Sequence, residues 1–335
     1  MKNRLWWLAG LASLLLVLLP AFGCGIEREK RTGITVTPEQ EIARTYELTR
    51  GELQRGARPK ATHPNMPLDR QRRELAPLVR ALESANAELR TQAVLRWQQL
   101  VDDYWQVSKE QLARLLRNPQ WQTRMGALLV LEFCYDPEGA DVAVQAIADP
   151  EPMVRQSVAE ALGLLDGPNA IPPLVQLSND TDSWVRKSAA LGMSMLDKDP
   201  RSEEALLRLL KDQDAHVREV AGEALALVGT RRCGPALMEA LRTDGDAAVR
   251  QYAASALGFL AMREAVPALL EGLSDRDEDV RWASARSLGL CAPPKDEKII
   301  RALRKARVED SPLVRFAAEM SLRKLGYHVA VEPRG

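Results

Sequence analysis

The 335-residue chain carries 46 basic and 46 acidic side chains and is electrically balanced at neutral pH. That balance excludes the basic excess or basic stripe expected of a nucleic-acid-binding protein. Apolar residues make up 46% of the chain, ample for a folded protein, and no stretch beyond the N-terminus is long and apolar enough to span a bilayer.

The N-terminus reads as an export signal over residues 1–23. Lys2 and Arg4 precede an apolar run from Leu5 to Phe22, followed by Gly23-Cys24, the order of a basic region, an apolar region and small residues before a cut. Ala21-Phe22-Gly23-Cys24 resembles a bacterial lipobox, which implies that Cys24 is lipidated and becomes the first mature residue. It departs from that pattern at Ala21, where leucine is usual, and at Phe22, where a small residue is usual. Ala21 and Gly23 also fit an ordinary signal-peptidase cut, and an uncleaved anchor is a third reading. All three place the rest of the chain outside the cytoplasm, in a bacterial envelope, with membrane attachment through a lipid as the favoured form. Residues 24–67 form a tether. Thr37-Pro38-Glu39-Gln40 is a capping-box pattern that predicts one helix, 38–55, and prolines at 59, 64 and 67 predict an extended linker after it.

From residue 68 to 326 one pattern returns. Val-Arg pairs stand at Val154-Arg155, Val185-Arg186, Val217-Arg218, Val249-Arg250, Val280-Arg281 and Val314-Arg315, with looser versions at Leu89-Arg90 and Thr123-Arg124. Successive arginines are 34, 31, 31, 32, 32, 31 and 34 residues apart, a period that marks stacked repeats. Three residues after each arginine comes a small side chain, Ala93, Ala127, Val158, Ala189, Ala221, Ala253, Ser284 or Ala318. Seven after it comes a large apolar one, Trp97, Leu131, Leu162, Met193, Leu225, Leu257, Leu288 or Leu322. These spacings place both columns on one stripe of a helix, and the small column lets a neighbouring helix approach closely. Four residues before the arginine, Asn86, Asp182, Asp214, Asp246, Asp277 and Ser311 are good N-caps. A second apolar run, opened by proline at Pro172-Pro173, Pro235 or Pro267, supplies a second helix per unit. Residues 68–82 read as a lone second helix opening the stack, and 327–335 as a short tail. Helices this short are marginal in water and need stacking to bury their stripes.

The pattern D-x-D-x-x-V-R-x-x-A-A-x-A-L-G, followed by a helix opening A-x-P-A-L, resembles the HEAT-like repeat first named from phycobilisome lyases. The resemblance implies an all-α solenoid, a superhelix of about eight two-helix units. It is specific for the fold and only weakly so for function, since such repeats serve as scaffolds and adaptors and only occasionally as enzymes.

The residues that carry chemistry are sparse. Cys134 and Cys291 fall in a core column with leucines, and Cys233 in a small-residue slot, so all three read as packing residues and not as disulfides. His63, His216 and His328 are far apart, and no His-Glu pair exists. HEAT-type hydroxylases that bind iron carry paired His-Glu motifs, which this chain lacks. Neither a Cys-x-x-Cys, a Gly-x-Ser-x-Gly nor a Walker loop is present, so no catalytic constellation, metal site or cofactor is expected. Acidic pairs recur at Asp180/Asp182, Asp212/Asp214, Asp244/Asp246 and Asp275/Asp277. They read either as a ladder of divalent-cation sites or as a helix cap plus an arginine partner in the same or a neighbouring unit. The second reading is favoured, because an arginine travels with each pair.

Two surfaces are candidates for a partner. Trp282 and Phe316 take the column just after the arginine, elsewhere Gln156, Lys187, Glu219 and Gln251. That column should be exposed on the convex side, so the two rings make either a sticky patch or a seat for the C-terminal tail. Trp184 and His216, two residues before their arginines, are lone surface candidates. In stacks of this type the second helices line the concave face. Their outward row, Arg80, Arg114, Gln145, Gln176, Arg208, Glu239, Glu271 and Arg301, is either a solvated surface or a mixed-charge groove that sets partner specificity. The expected function is that of a non-catalytic, membrane-anchored scaffold that binds a partner protein. The alternatives are an enzyme or chromophore-handling protein of the lyase type, and a structural part of the envelope.

Overall fold

Each repeat unit folds as the sequence period requires, into two short helices that bury their stripes against each other and against neighbouring units. The computed structural model describes residues 66–327 apart from 135, 137, 166–168 and 294. Cys24, the signal segment, the helix expected at 38–55, His63 and the tail beyond Tyr327 lie outside the described residues.

Among the described residues there are sixteen α-helices and no strand. The chain opens with α1 (Leu68–Leu82), α2 (Ala87–Gln98), α3 (Trp105–Leu115), α4 (Trp121–Leu131) and α5 (Glu138–Ala143, extended by a 3₁₀ turn Val144–Ala146). It continues through α6 (Pro152–Leu165), α7 (Ile171–Leu177), α8 (Ser183–Ser194), α9 (Pro200–Leu209), α10 (Ala215–Val228) and α11 (Gly234–Thr243). The last five are α12 (Ala247–Phe259), α13 (Val266–Gly272), α14 (Glu278–Cys291), α15 (Glu297–Glu309) and α16 (Pro312–Lys324). The even-numbered helices carry the arginines, and each packs on the next, from α2 to α16, as one continuous layer. Odd-numbered helices form the other layer, with α1, α3 and α5 in sequential contact, and likewise α7 with α9 and α11 with α13.

Local chemistry sets the ends of these helices. Asn86, Asp182, Asp214, Asp246, Asp277 and Ser311 cap α2, α8, α10, α12, α14 and α16 through their side chains, while Gln120 before α4 does not. Proline takes one of the first two positions of α7, α9, α11, α13 and α16, where it removes no intrahelical hydrogen bond.

Packing follows the two columns. Every residue of the large column, from Trp97 to Leu322, is at most 1% exposed, and burying one such side chain stabilises by about 1.5–3 kcal/mol. The small column, Ala93 to Ala318, is at most 2% exposed. Backbones approach closely where Gly163 meets Gly192: a Cβ added to Gly163 would lie 2.6 Å from the Gly192 Cα. Replacing the fully buried Ala253 by phenylalanine therefore lowers stability by at least about 1–3 kcal/mol. Gln251→Ala, one turn-face away, stays within about 0.5 kcal/mol. Urea denaturation of the two variants checks this, and equal midpoint shifts would contradict it.

Candidate functional site

The recurring arginine and aspartate turn out to be one device. Arg186 is only 7% exposed, and its Nε and Nη2 donate to Asp212 Oδ2 and Oδ1 of the next unit, both at 2.7 Å. Its Nη1 donates to the carbonyls of Asp180 and Thr181, in the loop before its own helix, at 2.9 and 3.1 Å. The same bidentate rung joins Arg124 to Asp149, Arg155 to Asp180, Arg218 to Asp244, Arg250 to Asp275 and Arg281 to Asp310, at 2.6–3.1 Å. In each Asp-x-Asp pair the first aspartate also accepts the N–H of the second, as Asp212 does from Asp214. The second caps the helix, as Asp214 does for His216 and Val217. In the second unit Asn118 stands at the aspartate position and keeps the turn, accepting from the Gln120 N–H. The acidic junctions are thus held by arginine and backbone N–H groups, and no group of three or more metal-ligating side chains occurs among the described residues.

Burial alone would disfavour the charge on Asp180, Asp212, Asp244 and Asp275, yet the arginine and backbone hydrogen bonds outweigh it and hold each carboxyl below the usual range. At Asp310 the Arg281 hydrogen bonds dominate and act the same way. The aspartates in turn raise the pKa of Arg155, Arg186, Arg218, Arg250 and Arg281.

The cysteines sit where the sequence placed them, in packing positions, and all three within the described residues are free and buried. The Cys233 Sγ donates to Glu203 Oε1 at 2.9 Å, the oxygen that also accepts from Thr230 Oγ1 at 2.7 Å. Burial and this carboxylate push the Cys233 thiol up to about 12, and burial raises Cys291 to about 11, so both stay protonated and unreactive.

Of the sequence-derived surface residues, the second-helix row is exposed throughout: Arg80, Arg114, Gln145, Gln176, Arg208, Glu239, Glu271 and Arg301. It is laced by pairs between neighbouring units, Lys211 to Glu239 at 3.8 Å and Arg242 to Glu271 at 2.8 Å. Exposed pairs of this kind contribute about 0–1 kcal/mol each. Arg114 reaches Glu83 at 3.3 Å.

The column after the arginine corrects the expectation of full exposure. Gln156, Lys187, Glu219, Gln251 and Trp282 are all half-buried, because the next arginine helix leans on that side. Only Phe316, on the last helix, stays 64% exposed. Trp282 and Phe316 therefore do not form equal halves of a patch. Trp282 instead joins Phe259 in holding the Arg286 guanidinium, 5.6 and 4.9 Å from the two ring centres. Trp184 is 58% exposed, with Lys187 Nζ 4.6 Å from its ring centre, and His216 faces Glu219 at 3.3 Å.

A further column escaped the sequence reading. Nine residues after the arginine stand Phe133, Leu164, Met195, Leu227, Phe259 and Leu290. Leu164, Leu227 and Phe259 are 39–51% exposed and the others half-buried. Its signal was available, since six large apolar residues recur at the repeat period on the side away from the core.

Arg186→Gln should destabilise by about 3–5 kcal/mol, because it leaves the buried Asp212 carboxylate unmatched. Arg208→Gln, on an exposed face, should change stability by less than about 1 kcal/mol. The ladder carboxyls titrate lower in the folded chain than in the unfolded one, so their contribution is full above the unfolded value and lost as pH falls through the folded one. The gap between wild type and Arg186→Gln should accordingly narrow below about pH 4. Denaturation midpoints measured from pH 7 to pH 3 test both statements, and a pH-independent gap contradicts the second.

Comparison with known proteins agrees with this geometry. The family described as HEAT repeats matches residues 108–194 and 234–323, more than half the chain. The PBS lyase HEAT-like repeat matches residues 217–243, which span α10 and α11. No curated protein matches. Among solved structures, YibA of Escherichia coli superposes with a TM-score of 0.56 at 18% identity, over 81% of this chain and 99% of its own. An engineered protein does so with a TM-score of 0.50 at 22% identity, over 75% of this chain and 78% of its own. Identities this low carry the fold and nothing finer. With its units, its two layers and its family match in agreement, the chain belongs to the HEAT-repeat family.

Proposed function

We propose that the protein is a non-catalytic scaffold, exported and held at a bacterial membrane by a lipid on Cys24, which binds a partner protein along its second helices. The observation that carries the binding reading is how charge is used. The ladder arginines and aspartates are consumed inside the stack, whereas the outward row from Arg80 through Arg114, Gln176, Arg208, Glu239 and Glu271 to Arg301 is left to solvent. A mixed-charge row on a rigid support favours specificity and orientation of a partner over raw affinity. The stretch matched by the PBS lyase HEAT-like repeat is a single unit's two helices. Within it Arg218 is spent on the ladder, in a rung to Asp244 just beyond the matched stretch.

A photo-cross-linking residue placed at Gln176 or Arg208 should yield discrete adducts of one partner in cells, while the same residue at the exposed Asp279 of α14 should not. Indistinguishable patterns from all three positions would count against a second-helix binding face. Anchoring is tested separately. More than one acyl chain suffices for stable attachment, so Cys24→Ala should abolish lipid labelling and leave an unprocessed precursor. Normal cutting and soluble release of that variant, with no lipid uptake by wild type, would replace anchoring by simple secretion.

A further inference from the structure

The charge ladder ends on an unfilled rung. Six arginines, from Arg124 to Arg281, each receive an aspartate from the following unit. Arg315 on α16 is exposed, and its guanidinium meets no carboxylate among the described residues. Beside it stand the side chains that an interior unit would cover. In the interior, the residue eight past one arginine lies against the residue six past the next, as Gly258 does against Ser287 and Gly289 against Ser321. On α16 that forward-facing side presents Phe316 at 64% and Met320 at 48% exposure, flanked by Leu313 at 42% and by the exposed Arg323, eight past Arg315, which pairs with Glu319 at 2.6 Å.

The other end of the stack is finished differently. The positions of α2 that would face a preceding unit hold Gln92 and Arg96 beside Leu89, all exposed. A polar outer face is what a terminal repeat needs for solubility, and the C-terminal face is the more apolar of the two. Charge points the same way: residues 297–327 hold eight Lys or Arg against four Asp or Glu, in a chain whose net charge is zero.

We propose that this C-terminal face docks an acidic partner protein, whose carboxylate completes the Arg315 rung while an apolar helix covers Phe316 and Met320. The proposal rests on the scaffold reading but uses the end of the stack and not its second helices. A second copy added head to tail does not supply the missing group, because Ser84 stands where the rung aspartate belongs in the first unit. The six interior rungs define the geometry the partner has to meet: a bidentate carboxylate in a loop that leads directly into a helix.

The probe is a fluorescein-labelled peptide copying residues 271–290, which carries Asp275 and all but the last residue of α14, the segment that completes the Arg250 rung within the chain. Fluorescence polarisation against the intact protein should show saturable binding. It should weaken about tenfold or more in Arg315→Gln, in Phe316→Ala and with Asp275→Asn in the peptide, and stay unchanged in Arg208→Gln. Arg315 and Phe316 are exposed, so both variants fold, which circular dichroism verifies. No saturable binding up to about 1 mM peptide overturns the proposal. So does tighter peptide binding by a chain ending at Tyr327, which would identify residues 328–335, with Glu332, as the occupant. Two more outcomes overturn it: a dimer in sedimentation velocity that Phe316→Glu dissolves, which makes a second copy the occupant, and Phe316-dependent binding to phosphatidylglycerol vesicles, which makes it a membrane. The cross-linking of Gln176 and Arg208 is unaffected by any of these results, so the two readings fail independently.

Discussion

A guanidinium buried between two helical repeats depends on having every donor met, and this requirement organises the stack. Arg124, Arg186 and Arg250 are at most 9% exposed, a position in which an unmatched charge costs several kcal/mol. Each meets the requirement in two directions at once, through the carbonyls of its own loop and the aspartate of the next unit. The bond fixes the spacing and twist of neighbouring units as no apolar contact does, since a bidentate fork tolerates little misalignment. Hydrophobic burial supplies the driving force for stacking, and the rung supplies its register.

The same device decides what the surface has to work with. Charges that looked available for cations or partners, the Asp-x-Asp pairs and the repeat arginines, are spent on cohesion. What stays outside is of three kinds: a mixed-charge row on the second helices, an apolar column at the C-terminal ends of the arginine helices, and an end face where the pattern stops. The first is polar and paired across units, which suits recognition without aggregation. The second and third are apolar, and in a solenoid each such site recurs at the repeat spacing or sits at a terminus. The Cys233 and Cys291 thiols are driven to the protonated form by the same dense packing.

Sequence by itself determined the fold. The arginine period, the small and large columns and the capping aspartates each follow from local rules of helix geometry, and those rules need no knowledge of neighbours beyond their existence. It also assigned the cysteines to the core and the second-helix row to the surface, because periodicity alone fixes which side of a helix a residue takes. Tertiary structure decided what depends on which unit touches which. The Asp212 carboxylate pairs with Arg186, 26 residues back, while Arg218, six residues on, takes only the Asp212 carbonyl, a choice that only the stacking direction resolves. Trp282 is half-covered while Phe316, in the same column, is exposed. A column gives a side chain its angle on the helix, but its exposure depends on whether another unit follows, and that is a property of the assembled stack.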